Sequence, residues 1–198
     1  MRPTLYYIRH GETDWNAESR LQGQRDIALN ALGRNQATQC GQILHDLVAR
    51  DGRTPADFDY VASPLIRARA TMELVRTALG LDPLTYRVDA RLQEMSFGRW
   101  EGFTYSDVMR NDGATLAARE RDKWRFAPPG GESYQQLTQR VGEWYATVER
   151  DCVVAAHGGT ARALMVHLGL APPEQAPHGS IDQGVVYVFA GDRMARYG

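Results

Sequence analysis

Two histidines of this chain share one local context. Arg9-His10-Gly11-Glu12-Thr13 follows the apolar run Leu5-Tyr6-Tyr7-Ile8, and His157-Gly158-Gly159 follows Cys152-Val153-Val154-Ala155-Ala156. Each imidazole therefore stands at the step from a buried strand into a glycine turn. Parallel strands present their carboxyl ends on one edge of a sheet, and in open α/β folds ligands collect there. The two imidazoles are expected to converge on that edge. Imidazole can attack phosphorus, and the guanidinium of Arg9 matches the geometry of phosphate oxygens. A third segment, Ser63-Pro64-Leu65-Ile66-Arg67-Ala68-Arg69-Ala70-Thr71, also follows a strand pattern. Its helix would turn backbone N–H groups toward the same edge, suiting an anion, with Arg67 in the first turn able to aim inward. Arg67 and Arg69 read equally well as solvated surface. The local chemistry is that of an anion site with a nucleophile in it.

The elements that must position these groups alternate along the chain. Apolar periodicity predicts a helix from Leu32 to Arg50, stopped by Asp51-Gly52, and a strand over Phe58–Ala62. Ser63-Pro64 reads as an N-cap and first-turn proline of a helix running to Leu79. A weak strand is expected over Thr85–Val88, with short helices near Ser106–Arg110 and Ala114–Trp124. Beyond the Pro128-Pro129-Gly130-Gly131 break, Ser133 is expected to cap a helix carrying Leu137, Val141, Trp144, Tyr145 and Val148. The unbroken apolar run Cys152–Ala156 predicts a strand buried on both faces, followed by a helix through Leu168. Val185–Ala190 and Met194–Tyr197, split by Gly191-Asp192, predict a closing hairpin. This rhythm predicts one α/β domain over residues 1–198 with a largely parallel sheet.

Composition narrows the partners. Lys and Arg (23) nearly balance Asp and Glu (24) over 198 residues, for a formal charge of −1. That balance argues against nucleic acid or a membrane surface as partner and leaves a small molecule. No apolar stretch approaches a membrane span and no secretory leader is visible, so a cytoplasmic protein is expected. Cys40 and Cys152 have no pairing pattern and read as core residues. The histidines form no metal-binding motif, and Gly130-Gly131-Glu132-Ser133 lacks the lysine of a nucleotide loop. His45 and His167 read as helix-surface residues, and His178 as part of a proline-rich loop. Glu12 and Glu101 read as turn-organising carboxylates and Glu132 as part of a helix start. No cofactor is implied.

The ordered set Arg9-His10-Gly11-Glu12-Thr13 with Asn16, Ser63-Pro64-Leu65-x-Arg67-Ala68-x-x-Thr71, and His157-Gly158-Gly159 resembles the histidine phosphatase superfamily, in its phosphoglycerate-mutase-like branch. Gln22-Gly23, Leu29-x-x-x-Gly33-x-x-Gln36-Ala37, Leu92-x-Glu94-x-x-Phe97-Gly98-x-Trp100-Glu101-Gly102 and Pro129-Gly130-Gly131-Glu132-Ser133 extend the resemblance over the chain. It implies a three-layer α/β/α sandwich around a mixed, largely parallel sheet, and a homodimer. By the same resemblance His10 is the nucleophile, and Arg9, Arg67 and His157 clamp the phosphate. Glu94 is the acid that protonates the leaving oxygen and then activates water. Asn16 is an accessory phosphate contact, and Gln22 and Gly23 line the substrate pocket. The cationic cage replaces a metal. As an acid, Glu94 must carry a proton at neutral pH, which burial or the adjacent phosphate dianion would have to favour.

Two outcomes for the phosphoenzyme fit these motifs. A phosphatase passes the phosphate to water, and a cofactor-dependent phosphoglycerate mutase returns it to another hydroxyl. The glycolytic mutases carry a longer insertion, a basic residue after the glutamate, a paired-arginine segment and His-Gly-Asn at the second histidine. Here Met95 follows Glu94, the segment before Glu132 is compact, and Gly159 stands in place of the asparagine. The expectation is a phosphomonoester hydrolase close to the short bacterial broad-specificity and alpha-ribazole-type phosphatases. The acid phosphatase branch is disfavoured because Gly158, not aspartate, follows the second histidine. A non-catalytic binding module is disfavoured by the intact set of site residues. The basic cluster Arg119, Arg121, Lys123 and Arg125 reads either as a solvated helix face or as a contact for a second anionic group.

Overall fold

Strand β4 (Cys152–Ala156) is buried along its whole length, and the architecture is built around it. The computed structural model describes residues 2–198. Five further strands, β1 (Leu5–Arg9), β2 (Asp59–Ala62), β3 (Arg87–Val88), β5 (Val186–Ala190) and β6 (Arg193–Tyr197), join it in the order β3-β2-β4-β1-β5-β6. The pairings β3/β2, β2/β4 and β4/β1 are parallel, whereas β1/β5 and β5/β6 are antiparallel. The sheet is therefore mixed and mostly parallel. Because β1, β2 and β4 run the same way, His10, Ser63 and His157 leave the sheet at one edge.

Side chains on β4 alternate between two layers, as the two-residue period of a strand requires. Cys152, Val154 and Ala156 pack with Leu137, Val141 and Leu164 from α5 (Tyr134–Tyr145) and α6 (Gly158–His167). Val153 and Ala155 face Leu44, Leu47, Met72 and Val75 from α2 (Ala31–Arg50) and α3 (Ile66–Ala78). Each fully buried leucine, such as Leu44 or Leu164, contributes about 2 kcal/mol of apolar transfer free energy. Cys40 and Cys152 are buried and unpaired. Among the described residues no helix is long and apolar enough to cross a membrane.

Local sequence explains most helix starts. Asn30 accepts from the Gly33 amide at 2.9 Å and opens α2. Ser133 and Gln136 form a reciprocal capping box on α5. Asp14–Ala17 forms the one-turn helix α1, capped by Thr13. Several expectations need correction. Ser63 does not cap α3: the helix starts at Ile66, and the Asp26 carboxylate takes the Ile66 amide at 2.6 Å. An anion supplied by this distant loop thus meets the helix terminus, and the Ser63 hydroxyl is released for another partner. The two expected helices of the variable region are one run, α4 (Tyr105–Arg121), broken by the non-helical backbone of Asp112 and ending before Trp124. The weak strand shrinks to Arg87–Val88, and α5 ends before Val148. Glu12 does organise its turn, through the Asn30 side-chain amide at 2.9 Å. His45 and His167 are exposed helix residues, and His178 ends a short 3-10 turn.

Candidate active site

The loop after β1 is held against α2 by a pair of glycines. A Cβ on Gly11 would overlap the Gly33 carbonyl, and a Cβ on Gly33 would overlap the Glu12 carbonyl. This close approach fixes the backbone on which His10 sits. The His10 Nδ1 lies 2.7 Å from the Gly11 carbonyl oxygen. A carbonyl can only accept, so Nδ1 carries the hydrogen and, in the neutral ring, Nε2 keeps its lone pair. Arg67 Nε–H meets that lone pair at 3.2 Å. Burial, then the positive charges of Arg67 and Arg9, hold the His10 pKa well below the usual imidazole range. The ring is therefore a neutral base with one defined free nitrogen.

Arg67 is wholly buried. Burial lowers its pKa to about 10, which leaves it cationic at neutral pH. Its two terminal nitrogens donate to the Arg25 and Gly23 carbonyls at 2.6 and 2.8 Å, tying down the loop that carries Gln22 and Gly23. Arg69 is instead exposed, with its Nε 3.4 Å from the Tyr86 hydroxyl. Arg9 donates to the Ile181 carbonyl at 2.7 Å, while its buried Nε has no partner.

His157 stands behind His10, ring centroids 5.2 Å apart. It is fully buried. Its Nε2 lies 2.7 Å from Ser63 Oγ, the partner left by the altered start of α3. Its Nδ1 faces the first turn of α6 without a hydrogen bond of good geometry. Tyr7 donates to the His157 carbonyl at 2.7 Å, and Thr160 Oγ1 accepts from its amide at 3.0 Å. Burial first, then Arg67, holds the His157 pKa well below the usual range as well.

Glu94 reaches the same edge from the loop after β3. Its carboxylate accepts from the Met95 amide at 2.8 Å and from the Gly159 amide at 3.1 Å. Gly159 is required here, because a Cβ would overlap a carboxylate oxygen of Glu94. Arg140 braces the segment by donating to the Arg91 and Gln93 carbonyls at 2.6 and 3.0 Å and pairing with Glu132 at 2.7 Å. Glu101 accepts from the Phe97 and Gln24 amides, a structural task.

One cavity of about 260 Å³ collects these groups. Of the eight expected site residues, Arg9, His10, Asn16, Gln22, Gly23, Arg67 and Glu94 line it, and His157 lies one layer behind. Sequence reasoning missed Arg20, Tyr105, Tyr134 and Arg162, which also line it. For Arg162 a signal existed: His157-Gly158-Gly159-x-x-Arg162 places it one turn into α6. Gln183 was missed without any local signal. Its Nε2 donates to the His10 carbonyl and to Asn16 Oδ1, both at 3.1 Å. Asn16 Oδ1 also receives the Thr13 amide and hydroxyl, so Nδ2 is the group Asn16 can offer to the cavity. The basic cluster divides: Arg119 and Lys123 line the cavity, whereas Arg121 and Arg125 are exposed.

The two depressed histidines carry a consequence for stability. In the unfolded chain both take up protons near pH 6.5, and in the folded protein they resist them. The unfolded state then binds more protons, so stability rises with pH up to about 6.5 and is lost below it. We expect stability to fall progressively as the pH drops through that window. Urea unfolding between about pH 5 and about pH 7.5 checks this, and a midpoint independent of pH there would contradict it.

A fold with two strand-end histidines, buried arginines and an opposed glutamate defines a phosphoryl-transfer class, and comparison with known proteins agrees. The family model of the histidine phosphatase superfamily (branch 1) matches residues 5–195, and the chain belongs to this family. The glucosyl-3-phosphoglycerate phosphatase of Mycobacterium tuberculosis (strain ATCC 25618 / H37Rv) is 36% identical over 187 residues, covering 87% of this chain and 78% of its own. The 2,3-bisphosphoglycerate-dependent phosphoglycerate mutase of Rhizobium meliloti (strain 1021) is 32% identical, with 96% and 90% covered. The native structure of the mycobacterial glucosyl-3-phosphoglycerate phosphatase superposes with a TM-score of 0.78 at 33% identity, covering 94% of this chain and 89% of that one. Relatives thus include both phosphatases and mutases.

Proposed function

We propose that this chain hydrolyses phosphomonoesters of small metabolites through a phosphohistidine on His10. The observation that carries the reading is the Nδ1–Gly11 carbonyl bond, which leaves Nε2 as the free nitrogen facing Arg67. A bound phosphate draws the Arg67 guanidinium from nitrogen to oxygen and frees the lone pair. Nε2 attacks phosphorus, the P–O ester bond breaks, and protonated Glu94 gives its proton to the departing oxygen. Water then loses a proton to the Glu94 carboxylate and attacks phosphorus, and the P–N bond breaks to release inorganic phosphate. Arg9, Arg67 and the Asn16 amide hold the phosphate oxygens, His157 backs the His10 ring from one layer behind, and Gln22 and Gly23 border the leaving group. The arginines supply the positive charge that stabilises the equatorial oxygens, so no metal is needed.

Hydrolysis is favoured over mutation by position 95. The mutases resembled here carry a basic residue after the glutamate, whereas Met95 is buried in the core layer and offers no cation to a substrate. The unpaired buried cysteines suit a reducing cytoplasm. The test is incubation with 3-phosphoglycerate, 2,3-bisphosphoglycerate and p-nitrophenyl phosphate, with and without EDTA. Phosphate release unaffected by EDTA is expected. Rapid isomerisation of 3-phosphoglycerate without phosphate release would overturn the hydrolase reading, and loss of activity in EDTA would overturn metal independence.

A further inference from the structure

We propose that Gln183 is a positioning residue of the phosphate site: its side-chain amide dictates which atom of Asn16 faces the bound phosphate, and through Asn16 it sets the affinity for that group. The proposal rests on the phosphatase reading for the place of the phosphate beside His10.

The backbone carbonyl of His10 fixes the orientation of both amides. That oxygen only accepts, so the Gln183 atom 3.1 Å from it is the NH2 nitrogen. The second hydrogen of the same nitrogen points at Asn16, 3.1 Å away, and needs an oxygen there. Asn16 Oδ1 is thus turned inward, and Nδ2 is left for the cavity that Asn16 lines. A reversed Gln183 would set its own carbonyl oxygen against the His10 carbonyl. A reversed Asn16 would set its NH2 against the Gln183 NH2 and against the Thr13 amide, which lies 3.2 Å from Oδ1. At an anion the difference is one of sign: an N–H attracts a phosphate oxygen, and a carbonyl oxygen repels it.

Local sequence does not fix Asn16 by itself. The other donors to Oδ1 are the Thr13 amide and hydroxyl, in the capping box that opens α1. The hydroxyl rotates to suit either a donor or an acceptor, so only the amide is a rigid local donor. A four-residue helix adds little rigidity of its own. Gln183 supplies the second rigid donor from 167 residues away. Its own segment is well anchored. Every second residue from 179 to 183 reaches the site: the Gly179 carbonyl accepts from Arg162 Nε at 2.6 Å, the Ile181 carbonyl accepts from Arg9 at 2.7 Å, and the Gln183 amide donates to His10 and Asn16. Between them Ile181 is buried in the core layer, and the Asp182 amide donates to the Tyr187 hydroxyl of β5 at 2.8 Å. Of these three site contacts, Gln183 alone acts through its side chain.

Competitive inhibition of p-nitrophenyl phosphate hydrolysis by inorganic phosphate reads the affinity for the group itself. Gln183→Met keeps the length of the side chain and removes the donor, so the inhibition constant is expected to rise about tenfold, the scale of one charge-assisted hydrogen bond. Asn16→Ala removes the group acted upon. In that background Gln183→Met is expected to add less than about twofold, because nothing is left to orient. A merely structural role would carry the same factor into both backgrounds. Equal rises in the two backgrounds, or no rise where Asn16 is present, would overturn the proposal. If Gln183→Met does not fold, Gln183→Glu runs the same cycle. Its charge repels phosphate in either background, and the proposal then requires a further rise of about threefold or more when Asn16 is present. Calorimetry with inorganic phosphate on the same proteins needs no turnover. A parent that binds phosphate without hydrolysing any ester would defeat the phosphatase reading and leave the cycle to decide Gln183, whereas a parent that binds no phosphate would overturn both.

Discussion

Replacing His10 by alanine is expected to lower phosphatase turnover by about 10⁴-fold or more, the scale of losing a covalent nucleophile. No other side chain can take its place. His157 is fully buried, does not line the cavity, and has Nε2 engaged by Ser63. Glu94 is held at the cavity wall by two backbone amides. The variant should fold, because the His10 ring makes its backbone bond only to the adjacent Gly11 carbonyl. It also removes a buried imidazole that resists protonation, so its stability should fall less steeply below about pH 6.5 than that of the parent. Steady-state hydrolysis of p-nitrophenyl phosphate, with unfolding followed in parallel, measures both. Near-parental turnover in a folded His10→Ala protein would reject the mechanism.

Glu94→Gln should discriminate between substrates by leaving group. General acid catalysis contributes typically 10²–10⁴-fold, so we expect a loss of about 10²–10³ in kcat/KM for alkyl phosphates. An aryl phosphate such as p-nitrophenyl phosphate departs as a stabilised phenolate and needs little help. Its loss should come mainly from geometry. Glutamine keeps one acceptor oxygen for the two amides of Met95 and Gly159 that now meet a carboxylate. One amide then loses its partner, which costs about 1 kcal/mol and affects both substrates alike. The ratio of alkyl to aryl loss therefore isolates the proton. Equal losses on both would remove Glu94 from the acid role and leave it a positioning residue of the α6 terminus.

The sheet edge was legible because its strands are simple. Leu5–Ile8 and Cys152–Ala156 are continuous apolar runs, and the structure pairs them in parallel so that His10 and His157 emerge together. Arg67 turning inward was one of two open readings, and position alone could not choose between them. Its burial depends on loop carbonyls at Gly23 and Arg25 that no helical pattern encodes. Ser63 was misread for a similar reason. Serine before proline is a sound local cap signal, but Asp26, brought in by tertiary folding, occupies the helix terminus instead. The break at Asp112 in α4 was visible as two expected helices, yet the burial of Arg119 was hidden among the charges around it. Gln183 was invisible because it acts across the sheet edge, on His10 and Asn16, from a loop without periodicity.

The central claim is that Nε2 of His10 accepts the phosphoryl group. Acid-labile phosphoenzymes are trapped by rapid denaturation, and their attachment atom is distinguished by phosphorus NMR of the alkali-stable peptide. The geometry predicts phosphate on Nε2 of His10, because the Gly11 carbonyl holds the hydrogen on Nδ1. Phosphate found on Nδ1, on His157, or on no histidine during turnover would contradict it.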